Sequence, residues 1–412
     1  MHPLLQTTFR SLRVRNFRLF FVGQLISGTG LWMQQIAELW LIFELTDSAV
    51  AVGLITVTHF GPVMLFGLWG GVVADRLDKR RIMIITQPLF GLIAGGLAVF
   101  SATGGVNAGL LYGFSGMTGL VLVFDNPARR AFVRDMVDLE DVPNAVSLTS
   151  MVITSSRIIG PALAGILLAG SNATIVFATN SVSYLAVLVA LLMMRPVELF
   201  RVPPIPKGKG QLVEGLRYAW NNPGVRLPMV MMAWIGTLAF NFSVLLVLIA
   251  EQTFEAGSGG FGTLFSFSAV GSLLGALVLA TRRVITHRFL ILAALAFGVA
   301  TIVSTIAPTL LWMALLLIPV GASGVFFLAG TQGATQMAAA PHMQGRVMAL
   351  FAVVFLGSTP IGGTLAGLQA GLMGARVAFA TGGVVSILTG LWAWRASVRL
   401  ADERHPVPAP ER

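Results

Sequence analysis

The chain has 412 residues, 56% of them hydrophobic and only 11% charged, with a mean hydropathy of +0.83. A water-soluble protein of that size needs far more polar surface, so a soluble fold is excluded and a chain crossing the bilayer many times is indicated. The net charge of +10 is spread over many short segments rather than gathered in a basic domain, so no nucleic-acid partner is required.

The start, MHPLLQTTFRSLRVRNFRLFF, is basic and has no small-residue cleavage site, so no removable signal peptide is expected. Leu12 to Phe20 reads as an interfacial lead-in. Measured against a span of about 20 residues, apolar runs in the first half lie near 18–44, 49–74, 82–102, 106–127, 143–169 and 172–194. Span one carries Glu38, the one deep acid among 17. Gln34 precedes it by one turn on the same face, so the two can share a polar site. An intramembrane carboxyl facing a cavity or partner is a candidate for proton coupling; the alternative is contact with outer water or an ion pair with Arg157. Arg157, mid-span in the fifth run, needs a carboxylate, a cluster of carbonyls or an anionic substrate beside it. His59 and Asn180, in spans two and six, can complete a polar network in this half.

The segment 195–225 opens with the Pro- and Lys-containing linker RVPPIPKGKG. In QLVEGLRYAWNNPGVR, which follows, Leu212, Leu216 and Ala219 share a face, as expected of a short amphipathic helix on the inner membrane surface. The second half has runs near 226–251, 259–281, 289–306, 309–334, 344–371 and 375–397. It offers Asn241, Gln332 and Gln336 but no deep acid, so any coupling belongs to the first half. Phe240, Phe242, Phe265, Phe267, Phe326 and Phe327 either line an apolar binding surface or pack the bundle. GSGGFG at 257–262 matches a nucleotide-loop pattern, but it precedes a span rather than following a strand and carries no such meaning.

The expectation is therefore an all-α polytopic membrane protein with twelve transmembrane helices. It divides into a six-helix bundle at 1–194, a linker at 195–225, a second bundle at 226–398 and a tail at 399–412. With the N-terminus inside, every Lys and Arg except Arg157 and Arg376 falls on the cytoplasmic side, and both termini are cytoplasmic. NAVSLTSMVITSSRIIGPALAG (144–165) aligns without gaps on RVMALFAVVFLGSTPIGGTLAG (346–367), matching Gly160 to Gly362. The basic turn 76–81 has a weaker counterpart in Arg282, Arg283 and Arg288. Such pseudo-repeats are a transporter architecture.

Gly71, Asp75, Arg76, Lys79 and Arg80 resemble the loop motif of the major facilitator superfamily, with Asp78 in place of its second glycine. RIIGPALAG, with Gly160, Pro161 and Gly165, resembles the Gly-Pro helix-packing motif of antiporters in that family. FRLFFVGQLIS, ELTDSAVAVGL, DNPARRAFV, EGLRYAWNNP and QGRVMAL, together with PNAVSL and RIIGP, are similar to the bacterial branch of the enterobactin exporter and macrolide efflux proteins. The resemblance implies the major facilitator fold in a bacterial cytoplasmic membrane and export of a small amphiphilic molecule by proton antiport. Glu38 would couple the proton; Gln34, His59, Arg157, Asn180, Asn241 and Gln332 would line the substrate cavity. It also implies a cytoplasmic gate in which Asp75 meets a helix N-terminus of the other half, near Arg346, with Arg76, Lys79, Arg80, Asp125 and Arg129 in the same network. The expected partners are a small-molecule substrate, protons and the lipid bilayer, with a monomeric chain and no catalytic residues, metal or cofactor. An importer on the same fold and a non-transporting membrane sensor are the rival readings.

Overall fold

The computed structural model describes residues 9–170, 172–200, 211–280, 286–340 and 343–404; RVPPIPKGKG, Arg282, Arg283 and the end of the tail lie outside them. Among the described residues the chain is helical throughout, without strands. The first half holds α1 (Arg15–Thr46), α2 (Ala49–Arg76), α3 (Lys79–Ala102), α4 (Ala108–Phe132), α5 (Val142–Gly170) and α6 (Ala173–Met193). A short helix α7 (Gln211–Asn221) follows, then α8 (Pro223–Leu238), α9 (Phe242–Gln252), α10 (Gly257–Ala280), α11 (His287–Thr305), α12 (Leu310–Ala338), α13 (Gln344–Met373) and α14 (Ala375–Arg404).

Eleven segments among the described residues are long and apolar enough to cross a membrane, counting α8 and α9 as one. The twelfth span is α1, at 32 residues the longest helix, whose apolar character is diluted by Gln24, Gln34, Gln35 and Glu38. All four are buried, as polar side chains inside a bilayer must be. Outward faces carry the apolar coat instead: Leu65, Leu92, Ile166 and Leu388 are all exposed.

The turns are set by local chemistry. Ser48, Asp78, Asn107, Asn172, Asn222, Thr286 and Thr309 each accept a hydrogen bond from a backbone N–H of the helix they open. Asp78 explains how the α2–α3 turn dispenses with the glycine of the family motif. Its φ of −63° suits any residue, and its carboxylate accepts from the Arg81 N–H at 3.1 Å.

The chain forms two compact units. One comprises residues 1–206 and 255–266, the other residues 207–254 and 267–412. In the first, α1 packs on α5 and α6, and α3 packs on α4 and α6; in the second, α8 packs on α13 and α14, and α11 on α12 and α14. This is one pairing scheme used twice. Gly160 and Gly362, matched in the sequence repeat, occupy equivalent close approaches. A Cβ on Gly160 would strike the Thr29 carbonyl and Trp32 of α1, and one on Gly362 the Thr237 carbonyl of α8. Gly165 is packed against Gly262, and Pro161 is buried beside Gly160.

Two local details add to the expected layout. Span seven is not continuous: its helix stops at Leu238 and restarts at Phe242, with Asn241 at the break. On α7, Leu216 is 57% exposed, as an apolar side chain laid on a membrane surface would be, while the side chain of Leu212 lies outside the described ones. The line it buries against protein is Gly215 and Ala219, one turn apart, because the absent side chain at Gly215 lets α7 approach Arg346 and Leu350 of α13.

Candidate functional site

The first unit holds a chain of buried polar side chains drawn from four helices. Glu38 on α1 is 1% exposed, and its Oε1 accepts from Gln34 Nε2 at 2.7 Å, one turn away. The Gln34 carbonyl oxygen in turn accepts from Asn180 Nδ2 of α6 at 2.6 Å, and Ser183 donates back to Asn180. On the other side, Glu38 Oε2 faces His59 Nδ1 of α2 at 3.7 Å, and His59 Nδ1 lies 3.4 Å from Ser115 Oγ of α4. Among the described residues, Glu38 Oε2 has no hydrogen-bond partner.

Glycines allow this convergence. A Cβ on Gly30 would collide with the Asn180 amide and the Ser183 hydroxyl, and one on Gly119 would collide with the His59 carbonyl. Without side chains there, α6 closes on α1 and α2 on α4, bringing partners within reach of the carboxylate.

Of the residues expected to line a cavity, three (Gln34, His59 and Asn180) belong to this chain and three do not. The alternative pairing of Glu38 with Arg157 is not formed; Glu38 is partnered by Gln34 and His59. Arg157 is half-buried and lies over the Trp32 ring, 4.8 Å from its centroid. Asn241 works on its own backbone, donating to the Thr237 carbonyl at 2.8 Å where the helix breaks. Gln332 is exposed on α12. Five of the six phenylalanines form ring contacts within packing clusters, Phe265 with Phe261 at 5.6 Å. Phe240, Phe242 and Phe327 meet Phe297 and Phe379 in a buried aromatic knot, and Phe326 meets Phe289 at 5.8 Å.

The charged residues at the other end of the unit divide by task. Asp125 is fully buried; Thr86 and Gln87 donate to its Oδ1 at 2.7 and 2.8 Å, and Arg129 grips Oδ2 while reaching Gln24 at 3.2 Å. Lys79 pairs with Asp135 at 2.9 Å. Arg80 donates twice to the Leu191 carbonyl, at 3.0 and 2.7 Å. Asp75 and Arg76 are exposed at the end of α2, beside Gly71. In the second unit, Arg346 pairs with Glu214 of α7 at 2.7 Å. Sequence reasoning passed over Gln24, Thr86, Gln87, Ser115, Ser183 and Glu214. Gln24 and Gln87 gave a usable signal as amides inside apolar runs, whereas serines and threonines are too common in membrane helices to stand out. Among the described residues no group of three or more His, Asp or Glu is placed to hold a metal ion.

Twelve spans in two repeated bundles, with a buried ionisable chain in the first, define a multi-pass membrane protein of the major facilitator fold. A crystal structure of a mutant of the peptide transporter POT shares that fold, with a TM-score of 0.74 at 15% identity, covering 93% of this chain and 94% of that one. The chain belongs to the transmembrane secretion effector family of the major facilitator superfamily, whose profile matches residues 6–411. It is 27% identical to the staphyloferrin A transporter of Staphylococcus aureus over 63% of this chain, a match spanning just 66% of that relative's length. It is 25% identical to the enterobactin exporter EntS of Salmonella typhimurium, covering 76% of this chain and 73% of that one. With macrolide efflux protein A of Streptococcus pyogenes it shares 22% over 90% and 93% of the two chains. These relatives are named for transport or efflux, none for an enzymatic reaction, in keeping with the absence of a catalytic motif from the sequence.

Proposed function

We propose that this chain is a secondary active transporter of a bacterial inner membrane that exports a small amphiphilic organic molecule in exchange for protons. The observation that carries the reading is Glu38, a carboxyl 1% exposed with one oxygen held by Gln34 and the other facing His59 without a hydrogen bond. A buried carboxyl bound on one side only can gain and lose a proton without dismantling the fold around it. Alternating access by rocking of the two six-helix halves would turn that exchange into transport. The substrate class, drug-like compound, macrolide or siderophore, is taken from relatives named for enterobactin export and macrolide efflux. Arg157 over Trp32 offers a flat cationic surface suited to an anionic or aromatic part of the substrate. Both termini are taken as cytoplasmic and the working unit as a monomer, with no nucleic-acid partner.

The test is proton movement in proteoliposomes under an imposed pH gradient, against a panel of lipophilic drugs and siderophores, with Glu38→Gln alongside. Substrate-dependent proton flux in the wild type that vanishes in the variant is the expected result. Substrate crossing with equal proton movement in both would sink Glu38 as the coupling residue. Uptake that follows the proton inward would instead favour an importer on the same fold.

A further inference from the structure

His59 was expected among the cavity residues; its geometry suggests different work. We infer that His59 is the relay through which protons reach and leave Glu38, with Glu38 Oε2 as the oxygen that carries the exchangeable proton. The inference rests on the reading of Glu38 as the coupling carboxyl and adds the residue that serves it.

The Gln34–Asn180 contact decides which oxygen is involved. Asn180 Nδ2 donates to the Gln34 carbonyl, which turns the Gln34 NH2 toward Glu38 Oε1. An oxygen already accepting from an amide is the less basic of the two, because the donor stabilises its negative charge and leaves it one lone pair fewer. Oε2 has no such donor and lies 3.7 Å from His59 Nδ1. A side-chain shift of about 1 Å brings that pair to hydrogen-bond length. Ser115 Oγ, 3.4 Å from the same nitrogen, is positioned to hold Nδ1–H between transfers. Among the described residues no hydrogen bond is made at the other ring nitrogen, Nε2; His59 is 2% exposed, so the relay requires the opening of the transport cycle to bring water or substrate to that nitrogen.

The charged and titratable groups around this pair come from several helices; α6, packed on α1, brings the buried Tyr184, one turn from Asn180 and stacked on Phe90 at 5.2 Å. From α1 comes Glu38 itself. From α4 comes Tyr112, one turn from Ser115 and bonded to the Ala51 carbonyl at 3.1 Å, with Asp125 and Arg129 more than two turns further along and paired with each other. On α3 the basic residues sit at its start, where Lys79 is paired with Asp135 and Arg80 with the Leu191 carbonyl. Among the charged groups of the described residues, Glu38 is the one the structure pairs with His59.

The transfer balances without a co-reactant. A proton arriving at the Nε2 lone pair makes the imidazolium. The Nδ1–H bond then breaks as an O–H bond forms on Oε2, leaving a neutral carboxyl and a neutral imidazole protonated at Nε2. The reverse sequence releases the proton. Imidazole is suited to this because it accepts on one nitrogen and donates from the other near neutral pH.

The experiment is time-resolved infrared spectroscopy of the purified full-length protein after a pH jump. Protonation of Glu38 is followed at the carboxylic C=O stretch, assigned by its loss in Glu38→Gln. In His59→Gln the band is expected still to form, but about 10²-fold more slowly. Formation at the wild-type rate overturns the relay. Should His59→Gln fail to fold, protein labelled with 15N at its five histidines gives a second answer. Glu38→Gln is expected to move the ring-nitrogen resonances of one histidine, and an unchanged spectrum overturns the pairing. Neither readout requires transport. If Glu38→Gln keeps full proton-coupled flux while the infrared and nitrogen signatures hold, the coupling assignment fails and the pair stands.

Discussion

Asp125 has no solvent contact, and its charge is held by Thr86, Gln87 and Arg129. The family resemblance assigns it to a gate, but a carboxylate so fully bonded has a structural reason to be there. The two roles make different predictions. Asp125→Asn leaves the Arg129 guanidinium without its counter-charge at a buried site, which costs about 3–5 kcal/mol. Thermal unfolding of the detergent-purified variant should show a lower Tm together with reduced transport. An unchanged Tm with transport abolished would return Asp125 to the gate. Contacts at this scale are legible in a sequence when they are local. Gln34 and Glu38 are one helical turn apart, and they do bond. The approach of Asn180 and His59 depends on Gly30 and Gly119 letting neighbouring helices close, and nothing in spacing along the chain states which glycine meets which helix.

Helix ends show why charge at a membrane boundary serves more than topology. The last turn of α6 has carbonyls without intrahelical donors. Arg80 supplies two hydrogen bonds to Leu191, Arg15 donates to the Met193 carbonyl at 2.8 Å, and Asn16 exchanges a pair of bonds with the Arg195 backbone at 3.1 Å each. Positive groups there also meet the negative end of the helix dipole. Arg80→Met should therefore fray α6, a loss of about 1 kcal/mol, read as roughly fivefold faster amide exchange in residues 188–195. Unaltered exchange with slowed transport would make Arg80 a gate residue after all. The spans themselves were readable because hydropathy reports length and polarity directly. The break between α8 and α9 was not, because 226–251 is apolar on average and a stop in backbone bonding leaves no mark on hydropathy. Its one trace was Asn241, an amide in the middle of the run, whose side chain replaces the missing donor to Thr237.

For the whole molecule, the distribution of charge and the twofold repeat both bear on orientation. The repeat has structural counterparts at Gly160 and Gly362, each against the first span of its own half. The two basic residues that depart from the cytoplasmic pattern have individual explanations that leave it intact. Arg157 lies over Trp32, and Arg376 donates to the Ala307 carbonyl at 2.8 Å while lying 5.2 Å from the Phe254 ring centroid. A guanidinium engaged by a carbonyl and an aromatic face weighs little in setting topology, which depends on the many solvated Lys and Arg of the short loops. The prediction is that the α4–α5 connection lies in the cytoplasm and the α3–α4 turn outside. Because the chain contains no cysteine, single replacements can be read against a silent background. Leu139→Cys and Thr103→Cys alter exposed positions on those two connections. A membrane-impermeant maleimide applied to intact cells should label Thr103→Cys at once and Leu139→Cys only after permeabilisation. The reverse pattern would invert the molecule, place its basic loops outside and remove the positional argument for a cytoplasmic gate. Labelling of both from one side would mean that an even number of crossings, rather than the single span α4, lies between them, and the span count in that region would have to be redrawn.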